Sequence, residues 1–374
     1  MVRERGGWLD ELDYLRGFAI LAIVTIHVGA FYTTIGYPSI VGDVANYLTH
    51  LADYGVPVFF FISGFVLAMR YFERLDVRSF YRRRLVFILP PYLAFSALYL
   101  VYDHYAFGTS SISEAAWSVA LFNAVGIFWF VAVLLQLYLL FPLLTRWQRR
   151  SEARGRPWEP MAVSLALYAA WYGVLEGWTA DALNAIAQPV PGFGEIVAGR
   201  VFLVSLPFFV LGIYLQRQPE VTSSLYRRAG TAAFVPVALG LAVVLTFLGQ
   251  GFWWALVVVP FSVIMLALLH RASVALVGRP VPGSRLVRTM GVYSFGVYLV
   301  HILVIAAVVN RLWAVGLGAE DAVFYILLML GTVLGSIAFL FIVNLLPFGE
   351  RLTGVKASSR HPRKTVPKGE AEAK

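Results

Sequence analysis

Two ionisable residues lie where they are costly. Arg16 and His27 fall inside the apolar stretch 12–32, which is long enough to cross a bilayer. Eleven residues separate them, which on an α-helix is about 1100°, or about 20° after whole turns, and roughly 16 Å of rise. They therefore share nearly one face of a helix, Arg16 near the membrane edge and His27 well inside. An arginine at the centre of a spanning helix costs about 2.5–3.5 kcal/mol on insertion scales, so such groups usually face a protein interior or a water-filled cavity. Imidazole, with an ordinary pKa of about 6.5, can take a proton or act as a nucleophile near neutral pH. The plain alternative is that Arg16 reaches lipid headgroups and His27 is a neutral, satisfied core histidine. A second polar set, Ser294, Tyr298 and His301, follows i, i+4, i+7 spacing and so forms one stripe on a helix. That stripe reads either as a satisfied core face or as part of a functional interior.

The elements that must position these residues are membrane helices. Hydrophobic residues make up 59% of the 374, and charged residues only 14%, against about 25% in a soluble protein. Long apolar runs recur along the whole chain, each reading as a spanning helix. Ten spans can be drawn, over 12–32, 54–72, 85–106, 126–145, 160–178, 200–216, 230–249, 252–270, 290–311 and 322–346. Residues 114–125 read as an interfacial helix or as an extension of the fourth span. The fold class is an all-α polytopic bundle, with one membrane domain over 1–351 and a disordered basic tail over 352–374. No cysteine is present, which excludes disulfides, thiolate-held metals and cysteine nucleophiles. The first apolar segment is followed by no small-residue cleavage site, so it reads as a retained helix.

Lysine and arginine are not spread evenly. Of the 30, 27 fall in the first ten residues, in 70–84, 146–156, 217–228 and 271–288, or from position 351 onward. The other three, Arg16, Arg200 and Arg311, sit at span ends, and the intervening loops 33–53, 107–125, 179–199, 250–251 and 312–321 have none. Basic loops stay in the cytoplasm, so the alternation puts both termini inside. The net charge of +9 is thereby explained by topology and gives no reason to expect a nucleic-acid partner. Trp8, Trp129, Trp147, Trp178, Trp253 and Trp254 lie near expected interfaces, as an aromatic belt would.

Five blocks of this chain, in order, resemble the acyltransferase type 3 family of integral membrane proteins. They are LDYLRGFAILAIVTIH, with its arginine, ten residues and histidine; VPVFFFISGFVLA from 56 to 68; FYRRRLVFILPPY from 80 to 92; FWFVAVLLQLYLLFPLL from 128 to 144; and YSFGVYLVH from 293 to 301. One departure is visible. The family commonly has Arg-x-x-Arg at the start of the third span, whereas here Arg84 is followed three residues on by Phe87.

The resemblance implies an acyl-CoA donor in the cytoplasm, acetyl-CoA first among them, and an acceptor hydroxyl on an envelope glycan, a lipid or a small molecule. It implies a multi-pass protein of the plasma membrane. Arg16, Arg82, Arg83 and Arg84 would hold the CoA phosphates, because a guanidinium donates bidentate hydrogen bonds to them. Topology alone explains the triple arginine equally well. His27 would be the general base or a transient acyl carrier, and His301 would orient the acceptor or assist. Ser63 reads as a packing or capping residue. Histidines are dispersed and no carboxylate cluster lies in a span, so no metal is expected. A separate extracellular partner is left open, as is the oligomeric state. The alternative reading is a transporter or flippase for a lipid-linked or sugar substrate. That reading lacks the paired, broken repeats common in transporters.

Overall fold

The computed structural model describes residues 5–35, 39–108, 111–187, 189–228, 231–249 and 251–354. Among these residues all regular structure is helical. In chain order the helices are α1 (Arg5–Ile35), α2 (Ile40–Leu51), α3 (Gly55–Tyr71), α4 (Val77–Phe107), α5 (Ile112–Ala120), α6 (Trp129–Ala153), α7 (Glu159–Ala170), α8 (Glu176–Ile186) and α9 (Phe193–Ala198). They continue as α10 (Leu206–Arg217), α11 (Pro219–Arg228), α12 (Val235–Phe247), α13 (Phe252–Leu276), α14 (Ser284–Val292), α15 (Ser294–Ala314), α16 (Ala322–Val343) and α17 (Gly349–Thr353).

Seven segments are long and apolar enough to cross a membrane: Asp10–Thr34, Ile40–Tyr71, Val77–Ala106, Gly126–Ala153, Phe252–Leu276, Ser294–Ala314 and Ala322–Val343. The remaining three expected spans are helical but shorter or broken. The one at 160–178 is carried by α7 and α8, joined through the π turn Trp171–Leu175. Those at 200–216 and 230–249 shrink to α10 and α12, whose first turns hold Pro207 and Pro236. Proline presets the first helical turn and has no N–H to continue one further back. Twelve residues of α10 rise only about 18 Å, short of a hydrocarbon core about 30 Å thick.

The stretch 33–53, expected as an outer loop, contains a returning helix. Ser39 caps α2 by accepting a hydrogen bond from the Gly42 amide at 3.0 Å. The helix then lies along α1, where a Cβ on Gly29 would collide with Thr49, and α3 follows it closely, since a Cβ on Gly55 would press on Ala19, Ala22 and Ile23. The α2–α3 break is pinned by Asp53, which accepts from His50 Nδ1 at 3.0 Å and from Trp254 Nε1 at 3.2 Å. His50 is therefore half-buried and paired.

α1 is the hub, in contact with α2, α3, α13, α14, α15 and α16. One of its neighbours, α14, comes very close at two points. A side chain at Gly17 would meet the Val287 carbonyl of α14, and one at Gly291 would meet the Asp13 carbonyl of α1. Small residues permit this kind of backbone approach between membrane helices. The basic ends of the bundle are tied by an ion network. Arg217 reaches Glu152 at 3.1 Å and Glu73 at 2.7 Å, and its guanidinium lies 4.1 Å from the Phe72 ring centroid. At the opposite side, Asn184 donates to both Glu195 carboxylate oxygens at 3.1 Å, which draws the Glu195 pKa below its ordinary value.

The ordered chain runs past the expected boundary at 351. Thr353 is buried in α17, where its hydroxyl donates to Asn344 Oδ1 at 2.8 Å. The rest of the tail expected over 352–374, from 355 on, lies outside the described residues.

Candidate active site

α4 begins at Asp76, whose carboxylate accepts from the Ser79 amide at 3.4 Å, and carries the three arginines in its second turn. Successive side chains on a helix point about 100° apart, so consecutive arginines cannot share one direction. Arg83 and Arg84 line a cavity of about 920 Å³, while Arg82 is exposed and is not among its lining residues. The Arg84 guanidinium is ringed by aromatic faces, 5.6 Å from the centroids of Tyr71 and Phe80 and 5.5 Å from Tyr138. Such contacts hold a cation without neutralising it.

Arg16 also lines this cavity, 3.6 Å from Asp13, and Asp13 lies 4.0 Å from Arg288. Two further arginines join from distant parts of the chain, Arg70 at the end of α3 and Arg351 in α17. Five arginines thus face two lining carboxylates, Asp13 and Glu350. Among the described residues, no carboxylate lies within ion-pair distance of Arg70, Arg83, Arg84 or Arg351. The surplus positive charge suits a multiply anionic ligand.

The cavity also takes in Ser63, Ser294 and Tyr298, and its deepest α1 residue is Ile23. Ser63 is therefore a wall residue rather than a purely local cap. Ser294 and Tyr298 are two members of the expected stripe, and His301 is the third, beyond the cavity. His27 lies one helical turn past Ile23 on α1, and His301 lies three residues past Tyr298 on α15. The rings of His27 and His301 meet at 5.1 Å between centroids, tilted by 45°. The chain thus brings together two histidines 274 positions apart in the sequence.

Their environments differ. His27 is half-buried, whereas His301 is fully buried. His301 Nδ1 donates to the carbonyls of Tyr298 at 2.8 Å and Val297 at 3.1 Å. These carbonyls can only accept, so Nδ1 must carry the proton. His301 Nε2 is left buried without a hydrogen-bond partner among the described residues. The Tyr298 hydroxyl donates to the Ile127 carbonyl, and Tyr99 donates to the Leu299 carbonyl at 3.0 Å. Both fix α15 against its neighbours, and the Tyr298 ring stands 6.2 Å from His301.

Beyond the histidines, Arg200 organises the segment between α5 and α6. It donates to Asn123 Oδ1 and the Ile196 carbonyl at 2.7 Å each, and to the Phe122 carbonyl at 3.3 Å. Phe122 has φ of 55°, the one positive value outside glycine among the described residues. Its sequence position at a span end carried no hint of this clamp. Among the described residues, no group of three or more His, Asp or Glu is placed to hold a metal.

The fold and site define a polytopic helical membrane protein with a histidine pair in its core, one helical turn beyond the inner end of an arginine-lined cavity. The family model described as "Acyltransferase domain", of the type 3 group, matches residues 9–341, and the chain belongs to that family. It is similar to acyltransferase MdmB of Streptomyces mycarofaciens, with 27% identity over 334 residues, 79% of each chain. No solved structure matches it. Family and relative together identify a membrane acyltransferase, and all five sequence blocks that resembled the family lie within the matched region.

Proposed function

We propose that this chain is a plasma-membrane O-acyltransferase with both termini in the cytoplasm. It takes a short acyl group, acetyl in the first instance, from cytoplasmic acyl-CoA. The acceptor is a hydroxyl of an envelope glycan, a lipid or a small molecule. The observation that carries this reading is the arginine-lined cavity whose inner end stops one helical turn short of the His27–His301 pair. Arg16, Arg83 and Arg84, with Arg70 and Arg351, would bind the donor phosphates. Arg82 would serve only the basic surface.

In the reaction the acceptor oxygen bonds to the thioester carbonyl carbon and the carbon–sulfur bond breaks. The hydroxyl proton passes to His27, and the CoA thiolate leaves and is protonated. An acyl-imidazole on His27 would divide this into two transfers with the same balance. His301 would assist through Nε2, its unpartnered ring nitrogen.

The test supplies labelled acetyl-CoA to the cytoplasmic face of membranes holding wild type or His27→Ala, with label followed into envelope glycan and lipid. General-base catalysis contributes about 10²–10⁴-fold, so incorporation should fall by that factor at equal protein level. Incorporation unchanged by His27→Ala would overturn the role of His27. Absence of acetyl-CoA binding to the wild type would overturn the donor.

A further inference from the structure

Position 87 is where the resemblance leads one to expect a second arginine, and the structure puts a phenyl ring there. Phe87 follows Arg83 by four residues and Arg84 by three, so the three lie on adjoining parts of one face of α4. All three line the cavity, as do Phe295 and Arg351. The Phe87 ring stacks on Phe295 with 6.0 Å between centroids and 24° between planes. Phe295 has no room to retreat, because Gly354 lies against it so closely that a Cβ there would strike the ring. Phe87 itself stays 37% exposed. A flat apolar face is thereby held open beside guanidinium groups that no carboxylate neutralises.

Guanidinium groups and a phenyl face recognise different parts of a ligand. The first bind phosphate by charge-assisted hydrogen bonds. The second binds a planar ring, and every nucleobase has one. A phenyl ring in place of an arginine gives up a phosphate contact and offers a stacking surface. We propose that Phe87, backed by Phe295, is a stacking platform for the purine ring of a nucleotide-bearing acyl donor. The platform holds the adenosine end of the donor near Arg83, Arg84 and Arg351 while the thioester end points toward His27. This inference rests on the acyl-CoA reading above and adds the residue that would grip the base.

The experiment uses the full-length protein in nanodiscs and equilibrium binding of three probes. They are acetyl-CoA, adenosine 3′,5′-bisphosphate, and S-acetyl-4′-phosphopantetheine, which has the thioester arm without the adenosine. Phe87→Leu should weaken the first two about tenfold, within the range measured for losing one base–aromatic stack. It should leave the third unchanged, and Phe87→Trp should keep wild-type affinity for all three. Equal weakening of all three probes by Phe87→Leu would reveal general distortion and overturn the platform. So would acetyl-CoA binding that is indifferent to Phe87→Leu, or a loss with Phe87→Trp as large as with Phe87→Leu. A wild type that binds neither acetyl-CoA nor adenosine 3′,5′-bisphosphate would overturn the acyl-CoA reading along with the platform.

Discussion

Gly17→Ala should disable the enzyme without touching a reacting group. Gly17 adjoins Arg16, and its α-carbon faces the Val287 carbonyl so closely that a methyl group would overlap that carbonyl group. Even a tight carbon–oxygen contact needs about 3.3 Å, so α1 and α14 would have to part by roughly 1 Å. The crossing offers little room for adjustment, because Gly291 of α14 presses equally closely on the Asp13 carbonyl. Asp13 is the residue that holds Arg16 at 3.6 Å. Parting the helices therefore moves Arg16 and its carboxylate relative to the rest of the cavity. A misplacement of about 1 Å can cost about 10²-fold in rate, and overpacking of this kind costs about 1–3 kcal/mol in stability. Transfer of labelled acetyl groups at equal protein level would measure the first, and thermal unfolding in detergent the second. Wild-type transfer together with a wild-type melting temperature would show instead that the crossing yields without effect.

Three further outcomes are expected. His301→Ala should lower turnover by about 10²–10⁴-fold while acetyl-CoA binding persists, because His301 lies beyond the cavity wall; near-normal turnover would remove His301 from the reaction. Arg200→Met leaves the Phe122 carbonyl and Asn123 without their donor and should cost about 2–3 kcal/mol, read as a lower denaturation midpoint in detergent. Arg217→Ala should cost about 1–3 kcal/mol, since the Glu73 partner is 74% exposed but the Glu152 partner only 20%. In that case high salt should narrow the gap in melting temperature between variant and wild type.

The sequence made some of this legible and hid the rest for physical reasons. The Arg16–His27 relation was readable because one helix fixes both residues. His301 was readable as a member of a polar stripe. Its contact with His27 was not, since 273 residues intervene and only the packing of α15 on α1 brings them together. Counting arginines could not separate Arg82 from Arg83 and Arg84, because about 100° of helix rotation decides which one meets the cavity. Arg70 and Arg351 passed as topology signals and line the cavity nonetheless. The helix α2 was missed because it lengthens the second span without adding a lysine or arginine. One sequence signal could have found it: Ser39, a residue type that caps helices, three residues before Gly42.

The bonding of His301 has a consequence for traffic through the core. Its Nδ1 is occupied by the carbonyls of its own helix, so those bonds last as long as α15 stays helical there. A histidine that conducts protons must receive at one nitrogen and release at the other. His301 has only Nε2 to do both. While those bonds hold, it cannot pass a proton along. A proton crossing the core at this level would need a path that does not run through His301.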